Sequence, residues 1–124
     1  MRFIAMYTPS KDKAGFPPTK EHMAEMAKFM DEATKSGELL ANGGLLPISK
    51  GARVLYSGGK LSVTDGPFTE AKELIAGFAI LQLKSKEHAI ESAKRFLKLA
   101  GEGECEVRQI MDAPPDAAAL LKEI

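Results

Sequence analysis

An α+β domain with four core strands, two covering helices and one inserted hairpin is predicted by three observations. Short apolar runs alternate with two longer segments whose apolar residues recur every three or four positions. The order reads strand, helix, strand, hairpin, strand, helix, strand. The 124 residues amount to one domain, 44% hydrophobic and 27% charged, well inside the range of globular chains. This element order is ferredoxin-like, βαββαβ with an inserted β-hairpin.

Phe3 to Tyr7 is an apolar run closed by Pro9 and reads as a buried strand. Thr19 is the cap of a first helix, whose Met23, Met26, Ala27, Met30 and Ala33 line one face until Gly37 stops it. Its methionines read as core filler. Leu39 to Leu46 is a weaker strand, with Gly43-Gly44 marking a bulge or a close backbone approach. Ala52 to Asp65 is a hairpin turning at Gly58-Gly59, which sets Val54 opposite Val63 and Tyr56 opposite Leu61 on one side. Arg53 and Thr64 fall on the other side. A helical turn capped by Thr69 runs to Leu74, and Gly77 to Leu83 resumes as a strand. Ser85 caps the second helix, with Ala89, Ile90, Ala93, Leu97 and Ala100 as its buried stripe. Glu104 to Met111 is the last strand, drier on the side of Cys105 and Val107. The main domain spans 1–112, and 113–124 forms a tail helix after Pro114-Pro115.

Two helices cover one face of such a sheet, yet the strands at 3–7 and 78–83 are apolar on both faces. A second copy of the sheet is the simplest cover, so a two-fold homodimer is expected.

Seventeen basic and seventeen acidic residues cancel, which excludes the broad positive field of a general nucleic-acid binder. No apolar run approaches the roughly 20 residues that span a bilayer, and no secretory leader pattern opens the chain. A cytoplasmic location is expected, and the single Cys105 fits a reducing compartment. Metal-ligand spacing, a phosphate-binding loop and a Gly-x-Ser-x-Gly elbow do not occur, so no cofactor is expected.

The segment Ser49-Lys50-Gly51-Ala52-Arg53-Val54, followed by Ser57-Gly58-Gly59-Lys60 and by Val63-Thr64-Asp65-Gly66-Pro67-Phe68-Thr69-Glu70-Ala71-Lys72-Glu73-Leu74, resembles the DGPF branch of the YCII-related family. The likeness continues through Lys84-Ser85-Lys86-Glu87 and Val107-Arg108-Gln109 and covers about four-fifths of the chain. The resemblance implies a ferredoxin-like domain that pairs as a dimeric α+β barrel. It also implies two kinds of role. Some members place a His and an Asp together in a cleft, as a small enzyme would, and related domains occur fused to sigma-factor sequences.

Asp65 is the leading candidate for proton transfer, because a carboxylate at the rim of the hairpin's apolar side is open to activation by desolvation. Asp before Gly-Pro equally serves to hold a turn through its side chain. His22 is the natural partner, since imidazole exchanges protons near neutrality; as a first-turn residue it also reads as ordinary helix surface. Arg53 and Lys72 suit an anionic group, with Glu73 and Arg108 beside them; Lys72 and Glu73 also fit the solvated face of a short helix. His88, in the first turn of the second helix, reads as a surface substitution. Two functions follow. One is a cofactor-independent enzyme acting on a small polar or anionic molecule in a cleft between sheet and hairpin. The other is a non-catalytic ligand-sensing or interaction module linked to transcription.

Overall fold

The computed structural model describes residues 1–10, 19–65, 75–112 and 121–122. Strand β1 (Arg2–Pro9) leads to helix α1 (Lys20–Lys35), strand β2 (Leu39–Gly44) and a single 3₁₀ turn over Ile48–Lys50. The hairpin β3 (Ala52–Ser57) and β4 (Lys60–Asp65) precedes β5 (Gly77–Gln82), α2 (Lys86–Ala100) and β6 (Gly103–Gln109).

Local chemistry sets the helix ends. Thr19 Oγ1 accepts the His22 backbone N–H at 3.1 Å, and Ser85 Oγ accepts that of His88 at 3.1 Å. Both hydroxyls satisfy amides that the first turn leaves unpaired. Beyond the C-termini, Gly37 (φ 82°) and Gly101 (φ 101°) adopt left-handed backbone that other residues rarely take.

The core strands hydrogen-bond in the order β2-β5-β1-β6, every pair antiparallel. This is the ferredoxin-like α+β fold with an inserted hairpin. Register sorts the side chains by face. Phe3, Ala5 and Tyr7 of β1 stand opposite Leu81, Ala79 and Gly77 of β5 and face the helices. Ile4 and Met6 stand opposite Ile80 and Phe78 and face the other way. Phe3, Leu39, Leu81, Leu83 and Ala89 form the buried core, with Met30 and Ala33 of α1 packed against it.

The bulge in β2 lies at Leu40, where the pairing with β5 shifts between Leu39 and Ala41, and not at the glycines. Gly43 answers a different need: a Cβ there would lie 3.0 Å from the Phe78 ring. The slip of one residue sets Asn42 opposite Ala79 on the helix side of the sheet.

Gly58 (φ 59°) and Gly59 (φ 76°) form the hairpin turn, and the pairing sets Val54 against Val63 and Tyr56 against Leu61. Unlike a packed hairpin, this one is exposed at every residue of both strands. Tyr56, on the apolar side, is 71% exposed. The turn expected over 69–74 lies outside the described residues, and of the tail helix only Leu121 and Lys122 are described, both helical. Among the described residues no helix is long and apolar enough to cross a membrane.

Candidate functional site

A cavity of about 510 Å³ lies between the sheet and the two helices. Side-chain size explains it. At mid-strand the sheet presents Ala5, Ala79 and Gly77 to a roof that contains Met26, Met30, Ala33 and Ala93. Small residues facing one another across the layer leave space that close packing would otherwise remove. The volume falls within the roughly 300–1,000 Å³ usual for small-molecule pockets, and the lining is mostly apolar with a few convergent polar groups.

Those groups gather at two places. His88, in the first turn of α2, and Glu38, just before β2, both line the cavity, with His88 Nε2 3.6 Å from Glu38 Oε1. This is ion-pair reach and just beyond hydrogen-bond length. The Lys84 backbone N–H donates to His88 Nδ1 at 3.5 Å, which leaves the ring proton of a neutral imidazole on Nε2, facing the carboxylate. Both side chains are partly exposed, His88 at 35% and Glu38 at 40%, so solvent and ligand can reach them.

Tyr7 and Cys105, register partners across β1 and β6, line the cavity elsewhere. The Tyr7 ring packs edge-on against Phe96 at 5.4 Å, and its hydroxyl donates to the Glu102 carbonyl at 3.4 Å. Burial pushes the Tyr7 phenol and the Cys105 thiol above their ordinary values, so each stays protonated and uncharged at neutral pH. Arg95 of α2 lies 5.1 Å over the Phe29 ring of α1, and both residues line the cavity. That cation–π contact links the two helices above it. Among the described residues no group of three His, Cys, Asp or Glu side chains is placed to hold a metal.

The residues singled out from the sequence lie elsewhere. His22 is exposed in the first turn of α1. Asp65 ends β4 opposite Ala52, on the apolar side of the hairpin and exposed. Arg53 stands opposite Thr64 on the other side, and Arg108 stands opposite Ile4 on the sheet face turned from the helices. None of these four lines the cavity. Lys72 and Glu73 lie outside the described residues. The cavity lies between sheet and helices, whereas the expected cleft lies between sheet and hairpin; among the described strands the hairpin pairs only with itself. His88, read from sequence as ordinary surface, belongs to the cavity, as does Glu38, which sequence reasoning passed over. The signal that marks the cavity in the sequence is the smallness of Ala5, Gly77 and Ala79 within otherwise bulky strands.

The comparisons with known proteins agree with this fold. An uncharacterized protein, R00369 of Rhizobium meliloti (strain 1021), is 29% identical over 72 residues, which are 58% of this chain and 58% of that protein. The match thus spans less than two-thirds of that relative's length. Among solved structures, 5-chloro-2-hydroxyhydroquinone dehydrochlorinase (TftG) from Burkholderia phenoliruptrix AC1100, in complex with 2,5-dihydroxybenzoquinone, aligns with a TM-score of 0.51 over 91% of this chain and 96% of that one. At 12% identity this likeness concerns the fold alone. The YCII-related domain model matches residues 1–114, nearly the whole chain, and the protein belongs to that family.

Proposed function

We propose that this chain, of the DGPF type by Asp65-Gly66-Pro67-Phe68, is a cytoplasmic homodimeric enzyme that moves protons on a small ring compound without a cofactor. One observation carries the reading: an acid–base pair, His88 and Glu38, opens on an apolar cavity large enough for such a molecule. The roles follow from the donors. The Glu38 carboxylate accepts a proton from the ligand, and the Nε2–H of His88 hydrogen-bonds the ligand oxygen on which charge develops. In an isomerisation Glu38 returns the proton at another ring position, and in an elimination a leaving group on the neighbouring carbon departs with its bonding pair as the double bond forms. The apolar floor contributes by keeping water from competing for the reacting face.

Asp65 and His22 keep a place in this proposal only as groups outside the cavity of one chain, with turn-holding the simplest role for Asp65. Pairing is supported by the outward sheet face, where Ile4, Met6, Phe78 and Ile80 lie together and neither helix covers them. The dehydrochlorinase of similar fold holds 2,5-dihydroxybenzoquinone, which makes that compound a rational first probe.

The test is calorimetric titration of the full chain with 2,5-dihydroxybenzoquinone and a panel of phenols and quinones, followed by product analysis. Saturable binding with turnover that falls about 10²–10⁴-fold in Glu38→Gln and His88→Gln is the expected result. Binding without turnover assigns the cavity to a sensor module instead. If no ring compound binds, the proposal fails.

A further inference from the structure

Arg95 of α2 is the one lysine or arginine that lines the cavity among the described residues, and no carboxylate there pairs with it. Glu91, one turn earlier on the same helix, is held by Lys94 Nζ at 3.2 Å. Glu32 of α1, three residues past Phe29, also lines the cavity and forms no ion pair with Arg95. The guanidinium lies instead 5.1 Å over the Phe29 ring. A ring face attracts the cation without using its N–H groups, so the whole fork of donors stays available to a ligand.

Position is the second observation. His88, Glu91, Ser92, Arg95 and Phe96 form the stripe that α2 turns to the cavity. Arg95 follows His88 by two helical turns, about 10 Å along the axis. The acid–base pair and the guanidinium therefore mark the two ends of that stripe, with apolar side chains between and below them. Phe96, next to Arg95 in sequence, packs edge-on against Tyr7 at 5.4 Å, so aromatic rings line the Arg95 end. Such surroundings make a charged hydrogen bond stronger than it is in open water.

We propose that Arg95 sets the specificity of the cavity and that its ligand is a ring carboxylate, whose acid group the guanidinium holds bidentately while the far side of the ring meets Glu38 and His88. This assignment rests on the ring-compound reading above and adds the charged substituent. Neither Glu91, paired with Lys94, nor Glu38, beside His88, opposes an anion at this end. Glu32 is the residue that would select an amine instead, and the experiment includes one.

Calorimetric titration of the full chain compares para-hydroxybenzoate with para-hydroxybenzamide, which has the same shape without the charge, and with para-hydroxybenzylamine. The acid should bind at least about tenfold more tightly than the amide. Arg95→Met keeps an unbranched stem over Phe29 and should raise the dissociation constant of the acid about 10- to 100-fold while leaving that of the amide unchanged. A role confined to clasping the two helices would move both alike. Arg95→Lys keeps the charge without the fork and should lose part of the preference, which supplies the result if Arg95→Met does not fold. Equal binding of acid and amide, tighter binding of the amine, or an acid preference that survives both substitutions overturns the assignment. If 2,5-dihydroxybenzoquinone or another ring compound is turned over with no such preference, the acid–base pair stands and Arg95 loses this role. If no ring compound binds, both readings fall.

Discussion

Two ends of one helix–sheet layer differ in content although they share the same strands. At one end Phe3 faces Leu81 across an unbroken register, with Leu39, Leu83 and Ala89 closing the space between. Two residues along the same strands Ala5 faces Ala79, then Tyr7 faces Gly77, and the layer is hollow. The backbone does not change course between the two ends; only the side chains shrink. In the function proposed above the solid end serves folding and the hollow end binding, so substitutions at each should report on different properties.

Emptying the solid end should have the largest effect. Leu81→Ala removes a core side chain and is expected to cost about 2–5 kcal/mol of stability in urea titration, with the melting temperature falling to match. Gly103→Ala comes next. A Cβ there would meet the Tyr7 ring at 2.9 Å and the Thr8 carbonyl at 2.5 Å, so overpacking of about 1–3 kcal/mol should appear in the same titration. Filling the hollow end should do the reverse. Ala79→Leu is expected to stabilise the fold by about 0.5–2 kcal/mol while abolishing ring-compound binding in calorimetry. Unchanged binding there would separate the cavity from the ligand.

The smallest effect concerns pH. Folding raises the Cys105 thiol above 9.0 and the Tyr7 phenol above 10.0, both by burial, so the folded chain holds these protons more tightly than the unfolded one. Their contribution is complete below those ordinary values and is lost as pH climbs through the raised ones. Thermal melts at stepped alkaline pH should therefore show a shallow decline, flatter in Cys105→Ala combined with Tyr7→Phe.

Much of the fold was legible in the sequence, because its signals are local. Thr19 and Ser85 are caps by residue type and position, and Gly58-Gly59 fixes the turn and with it the register that sets Tyr56 against Leu61. The hollow end was not legible, for reasons that are equally physical. Ala5 and Ala79 carry the same apolar sign as Phe3 and Leu81 in any periodic pattern, which records polarity and not volume. Glu38 and His88 are far apart in sequence, and their pairing depends on where β2 enters the sheet and α2 leaves it. Motif reasoning drew attention to Asp65 and the hairpin, where composition is distinctive, whereas the cavity borrows ordinary residues from several elements.

The extra residue in β2 has a reach beyond its own strand. Because Leu40 is the inserted position, the wall that β2 offers to a bound molecule ends in the carboxamide of Asn42. Were Leu40 paired in an unbroken ladder from Leu39, Ala41 and Gly43 would turn to the helix side, a methyl and a hydrogen in place of that amide. A single unpaired residue thus decides which side chain that edge of the cavity presents, while the floor laid by β1 and β5 keeps its place.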